Sequence, residues 1–143
     1  MERITISTSV NQRVETIWNA YNSSEDIMQW NQASDDWHCT SSTNDLRVGG
    51  KFKNRMEAKD GSFGFDFEGT YTTIEPFKHI AYIMPDGRQV NIEFRSKGDT
   101  TKVITTFDPE DENPIDMQRE GWQSILDNFK NYVERVYGNT NKH

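Results

Sequence analysis

Ile115, Gln118, Trp122, Ile125, Leu126, Phe129, Val133 and Val136 recur at helical spacing and fall on one stripe near the end of the chain. Asn113-Pro114 stands before them, an N-cap residue followed by Pro at the first helical position, with Asp116 near the positive end of the dipole. Gly138 occupies the place of a C′ glycine. The pattern predicts a helix of about 24 residues, roughly 36 Å long. Such a helix must lay its stripe on a broad apolar surface. That demand constrains the fold more than any other feature of the sequence.

The middle of the chain supplies the surface. Residues 2–9 alternate around Ile4 and Ile6, as a half-buried strand does. Val14, Ile17, Trp18 and Tyr21 then follow helical spacing behind Asn11 as N-cap. A second short helix starts at Ser23, where Ser23 and Asp26 form a capping-box pattern before Ile27, Met28 and Trp30. From Asp35 to Asp108 the sequence reads as short strands punctuated by turns. Trp37 and Cys39 mark a brief strand, Val48-Gly49-Gly50 bends the chain, and Lys51–Ala58 and Phe63–Ile74 alternate. After a break at 75–78 come Ile80–Met84, the turn Pro85-Asp86-Gly87-Arg88, the alternation Val90, Ile92, Phe94, a turn at Gly98-Asp99, and Val103–Phe107. Short connections make successive strands antiparallel neighbours. The order is β-αα-β(6)-α, an α+β chain whose curved antiparallel sheet wraps the long C-terminal helix, with residues 1–138 as one domain and 139–143 as a flexible tail.

Several segments resemble the AHSA1 family, named for the activator of Hsp90 ATPase, within the START-like, Bet v 1-like SRPBCC superfamily. They are Val14-Glu15-Thr16-Ile17-Trp18, Gln29-Trp30, Asp45-Leu46-Arg47-Val48-Gly49-Gly50-Lys51-Phe52, Phe67-Glu68-Gly69-Thr70-Tyr71 and Gly121-Trp122. The likeness runs from about Ile4 to Val136. It implies a helix-grip fold without catalysis, with an apolar cavity between sheet and C-terminal helix, and it names no ligand. Members that stimulate Hsp90 carry a further N-terminal domain, which these residues do not include. Members also often carry a Trp around the position of Tyr82–Met84, where this chain has none.

Charge and composition restrict the partners. Sixteen Lys and Arg against 23 Asp and Glu give a net charge of −7, and basic clusters never exceed two residues. A phosphate-tracking surface needs concentrated positive charge, so nucleic acid and anionic membranes are not expected partners. Cys39 is the single cysteine, no leader-like start is visible, and no stretch approaches the ~18 apolar residues of a membrane span. These features read as a cytoplasmic protein, monomer or homodimer. Only 33% of residues are apolar, but eight Phe, five Tyr and four Trp bury much area each.

Those rings are also the candidate site. Trp30, Trp37, Phe52, Met56, Phe65, Phe67, Tyr71, Tyr82, Met84, Phe94, Trp122 and Leu126 are expected on the facing surfaces of sheet and helix, together with Phe107 and Phe129. Core packing accounts for any one of them. A subset lining a pocket is expected because large rings on two opposed faces seldom fill a concavity, and Met adapts to varied ligands. Alternation puts Asn54 on the face of Phe52 and Met56, where it can orient a ligand carbonyl or satisfy a backbone group. Gly69 between Phe67 and Tyr71 would leave a bare patch of wall, and a bulge or a close backbone contact explains it equally.

Other chemistry is thin. Asp66 and Glu68 alternate with Phe65 and Phe67 and are expected to face solvent, which argues against acid–base catalysis. His38, His79 and His143 are scattered, and Cys39 points away from His38, so no metal site is expected. Gly49-Gly50-Lys51 lacks the spacing and following Ser/Thr of a P-loop. No cofactor is implied. The sequence points to non-enzymatic binding of a small hydrophobic or amphipathic molecule. Its competitors are an interaction module of the chaperone-adaptor kind and a polyketide-cyclase-like enzyme.

Overall fold

A computed structural model describes residues 2–138; the tail read at 139–143 lies outside them. The chain runs β1 (Ile4–Val10), α1 (Val14–Asn22), α2 (Ser24–Trp30), β2 (Trp37–Asn44), β3 (Lys51–Ala58), β4 (Gly64–Glu75), β5 (His79–Ile83), β6 (Gln89–Ser96), β7 (Thr101–Phe107) and α3 (Ile115–Val136). The strands form one antiparallel sheet in the order β1-β7-β6-β5-β4-β3-β2. It curls as a half-barrel around α3, the helix-grip arrangement of an α+β protein. Strands β1 and β2 are consecutive in sequence but stand at opposite edges, so the α1–α2 pair carries the chain across the concave side.

The two halves of the sheet are built from different residues. On β1, β6 and β7 the inward positions are mostly β-branched: Ile4, Ile6, Val10, Val90, Ile92 and Val103 are all buried. Strict alternation holds through β7, whose odd-numbered residues are buried from Thr101 to Phe107. The apolar ones share one buried cluster with Ile17, Phe129 and Val133. Helix α3 lies along β1 and against both shorter helices. Gln123 Nε2 donates to the Ser7 carbonyl at 3.1 Å and Lys130 Nζ to the Ser9 carbonyl at 2.7 Å. At its far end the hydroxyls of Tyr132 and Tyr137 both donate to the Asp26 carboxylate of α2.

Element ends differ from the sequence reading in instructive ways. Helix α1 starts after Arg13, not Asn11, whose N–H instead donates to Glu134 Oε2 at 2.9 Å. Ser23 is the N-cap of α2 but makes no side-chain cap bond. Pro114 is the cap residue of α3, and the start is secured from inside: Gln118 Nε2 donates to the Asn113 carbonyl at 2.8 Å and the Glu110 carbonyl at 3.0 Å. Gly138 is not among the left-handed glycines, so it does not close the helix by that geometry. Ile115 and Val136 are exposed at the ends of the stripe, while Tyr132, absent from the expected stripe, is buried. Strand β2 runs on to Asn44 with a bulge between Cys39 and Ser41. Its Thr-Ser-Ser-Thr sequence carries no apolar alternation to announce it.

Candidate functional site

The other half of the sheet carries rings and long side chains on its concave face. Alternation along β3 turns Phe52, Asn54 and Met56 inward, and alternation along β4 turns Phe65, Phe67 and Tyr71 the same way. Tyr82 and Met84 continue the wall, and Trp122, Ile125 and Leu126 of α3 face it. Between them lies a cavity of about 320 Å³, within the size range of small-molecule sites. Tyr21, Asn22, Ile27, Trp30 and Asn31 close one end from α1 and α2, with Asn44 beside them. Phe65 lines the cavity yet is 44% exposed, so the cavity opens beside it.

The rings brace one another. Phe52 meets Tyr82 edge-on at 4.7 Å and Phe67 at 5.8 Å, and Phe67 reaches across to Trp122 at 6.0 Å. Trp122 stacks flat on Phe107 at 4.0 Å. Gly69 is not bare wall. A Cβ there would come within 2.8 Å of Phe52 Cε2 and 2.9 Å of Tyr82 Cδ1. The missing side chain is the space those two rings occupy.

Of the residues singled out in the sequence, Trp30, Phe52, Asn54, Met56, Phe65, Phe67, Tyr71, Tyr82, Met84, Trp122 and Leu126 line this cavity. Trp37 and Phe94 do not. Trp37 packs against Phe63 and Phe65 near the β3–β4 turn, and Phe94 sits in the buried core against Trp18 and Tyr21. Both have the right parity but stand beyond the ends of the hollow. Tyr21, Asn31, Asn44, Arg88 and Thr105 line the cavity without having been singled out. For Arg88 a signal existed: it shares the parity of Val90, Ile92 and Phe94, one step before β6.

Polar groups in the cavity divide into committed and uncommitted ones. Asn54 Oδ1 accepts from Ser42 Oγ at 2.7 Å, a side-chain partner rather than a backbone group. Tyr71 donates its hydroxyl to Asn44 Oδ1 at 2.6 Å, and Trp30 Nε1 donates to the Ala20 carbonyl at 3.1 Å. Among the described residues the hydroxyls of Tyr21 and Tyr82 make no hydrogen bond, nor does Asn54 Nδ2. Burial pushes the Tyr82 hydroxyl well above its ordinary pKa, with Tyr21 and Tyr71 adding and the Arg88 charge opposing. Burial likewise raises Tyr21, with a smaller contribution from Tyr71. All three tyrosines line the cavity, and burial keeps their hydroxyls in the neutral form.

The remaining candidates lie elsewhere. Asp66 is on the outer face, 3.5 Å from Arg55 NH1, and Arg55 also holds Glu57 at 3.1 Å. Glu68 faces outward with it, beside Lys51, Lys53 and Thr70. Burial pushes the Cys39 thiol up, and Sγ donates to the Ser41 carbonyl at 3.3 Å. Among the described residues no three His, Cys, Asp or Glu side chains group as metal ligands, and no helix is long and apolar enough to cross a membrane.

The family pattern described as activator of Hsp90 ATPase homolog 1-like protein matches residues 11–134. An AHSA1-like protein from Aeromonas hydrophila, solved by NMR, superimposes with a TM-score of 0.86 at 45% identity, over 98% of this chain and 97% of that one. Chr148 from Cytophaga hutchinsonii gives 0.82 at 43% identity, over 99% and 96% of the two chains. Protein NE0264 from Nitrosomonas europaea is 14% identical and shares the fold, at a TM-score of 0.81 over 96% and 97% of the chains. No curated protein matches the chain.

Proposed function

The chain belongs to the activator of Hsp90 ATPase homolog 1-like family, and from that premise we propose that it binds a small hydrophobic or amphipathic molecule, without catalysis, in the cavity between its sheet and α3. The observation that carries this reading is the cavity of about 320 Å³, walled by rings and Met and carrying unpaired donors. It is about twice the ~150 Å³ of an apolar cavity that holds benzene, so a two-ring compound or a medium acyl chain fits. Burying about 250 Å² of such a ligand gives ~6 kcal/mol at 25 cal/mol per Å². That places dissociation constants between millimolar and micromolar. Asp66 and Glu68, the carboxylates a cyclase-like reading would recruit, lie on the opposite face of the sheet.

Two-dimensional NMR against a panel of aromatic and acyl compounds tests the proposal. At least one compound is expected to shift signals of Trp122, Tyr71 and their neighbours in a saturable way. A panel that leaves all of them unmoved would overturn it. A second reading, an interaction module of the chaperone-adaptor kind, is supported by the aromatic group at the β3–β4 turn, where Phe63 is 62% exposed beside Trp37 and Phe65. Adding the protein to a purified Hsp90-type chaperone tests it. Unchanged ATP turnover and no co-purification remove that reading.

A further inference from the structure

We infer that the ligand of this cavity is an organic anion, a carboxylic acid with a hydrophobic tail, whose carboxylate is held by the guanidinium of Arg88. The inference rests on the cavity-binding reading and adds the chemical class of the ligand. Arg88 follows the turn between β5 and β6. Its parity with Val90, Ile92 and Phe94 turns it to the concave side, where it lines the cavity near Tyr82. Its side chain is 29% exposed. The other residues that line the cavity are apolar, aromatic or uncharged polar ones, so Arg88 is the one charged residue on its wall among the described residues.

Asp86 engages only part of its guanidinium. Arg88 Nε donates to Asp86 Oδ2 at 2.7 Å, and the Arg88 backbone N–H donates to Asp86 Oδ1 at 3.1 Å. That pair stabilises the turn. It leaves both terminal amino groups of the guanidinium without a hydrogen bond among the described residues. Glu110 is the other acid within electrostatic range, but it forms no ion pair with Arg88 within 4.0 Å, and its carboxylate already accepts the N–H groups of Glu112 and Asn113. Two parallel donors on a fixed fork match the two oxygens of a carboxylate. The unpaired Tyr82 hydroxyl on the same wall offers a further donor, and no carboxylate points into the chamber to repel an anion. The tail would then run under Trp122 and Leu126 along the rings of β3 and β4.

The test compares decanoate with 1-decanol, below micelle-forming concentrations, by NMR titration at neutral pH. Wild-type protein is expected to bind decanoate at least tenfold more tightly than the alcohol. Arg88→Gln should lose that preference, weakening decanoate at least tenfold more than the alcohol, and Asp86→Asn, which removes the competing acid, should keep or sharpen it. Equal affinity of wild type for the two compounds, or equal weakening of both by Arg88→Gln, overturns the role of Arg88 and leaves the cavity reading standing. Failure of both compounds to shift any cavity residue overturns this inference together with the reading beneath it. If Arg88→Gln does not fold, the wild-type comparison still decides the ligand class, and Arg88→Lys, which keeps the charge without the fork, tests the residue: an undiminished decanoate preference in it overturns the two-pronged hold.

Discussion

Gly69→Ala tests whether the sheet wall is as tightly built as its rings imply. The new methyl carbon would lie 2.8 Å from Phe52 Cε2, 2.9 Å from Tyr82 Cδ1 and 3.0 Å from Phe52 Cζ. Favourable carbon contacts begin near 3.5 Å, so two rings must each retreat by about half an ångström or more. They cannot retreat freely, because Phe52 is also held by Phe67 and Tyr71, and Tyr82 by Tyr71. Overpacking of this kind costs about 1–3 kcal/mol. The loss of glycine freedom in the unfolded chain returns ~0.4–1 kcal/mol, and Gly69 has no positive φ that alanine would strain. The net expectation is about 1–2 kcal/mol of destabilisation, or a Tm lower by about 3–6 °C for a domain of this size. Thermal unfolding followed by circular dichroism measures it, and aromatic NMR signals of Phe52 and Tyr82 should move. An unchanged or higher Tm with unmoved ring signals would refute the reasoning, since the wall would then have slack that the contacts deny.

The opposite result is expected at Gly121, where a Cβ would meet nothing within 4 Å. Gly121→Ala should stabilise α3 by up to ~1 kcal/mol and raise Tm by about 3 °C; a lower Tm would show that glycine is needed there. Asp26→Ala removes the carboxylate that accepts from Tyr132 and Tyr137. Hydrogen bonds to charged groups contribute ~1.5–3 kcal/mol, so the same melt should show a loss of that order, with the α2–α3 contact the first to exchange amide hydrogens. All five tyrosines have hydroxyls held above their ordinary pKa, chiefly by burial and, for Tyr132 and Tyr137, also by Asp26. A raised folded pKa means that this contribution to stability is complete below the unfolded value of about 10 and is lost as pH rises through the folded one. Phenolate absorbance should therefore appear together with unfolding above about pH 10; ionisation of several tyrosines in a folded chain would contradict it.

What the sequence revealed tracks how local the determining physics is. Period-2 alternation on β3, β6 and β7 and the helical stripe of α3 follow from nearest-neighbour geometry, and with the short connections they gave the antiparallel run β2 to β7 and the helix that grips it; the pairing of β1 with β7 joins distant parts of the chain and was not read. The same parity put Asn54 inside and Asp66 and Glu68 outside. Parity says which face a side chain takes but not how far along the hollow it sits, which is why Trp37 and Phe94 were grouped with residues they do not join. Tyr21, Asn31 and Asn44 come from three elements that meet only once the chain is folded. Gly69 was left open between two readings for a related reason: a missing side chain looks like space in one dimension, and only the packed rings reveal what fills it.

The hollow itself has a physical origin in the contrast between the two halves of one sheet. Along β1 short branched side chains let α3 settle close, while Ile6, Ile92 and Thr105 of β1, β6 and β7 line one side of the chamber. Where β3, β4 and β5 present Phe, Tyr and Met, the rings stand tall and lean on one another, and the helix cannot settle onto them. Trp122 then acts as a strut, flat on Phe107 at 4.0 Å and edge-on to Phe67 at 6.0 Å. It joins the β7 side of the sheet to the β4 side along the cavity wall. Filling the chamber with larger side chains would add apolar contact and, by the same area rule that favours a ligand, stability. The sequence forgoes that contact and places unpaired tyrosine hydroxyls and a half-used guanidinium around the gap. An empty space that served only as a packing fault would have no use for such donors; a chamber shaped to receive a polar-headed apolar molecule would.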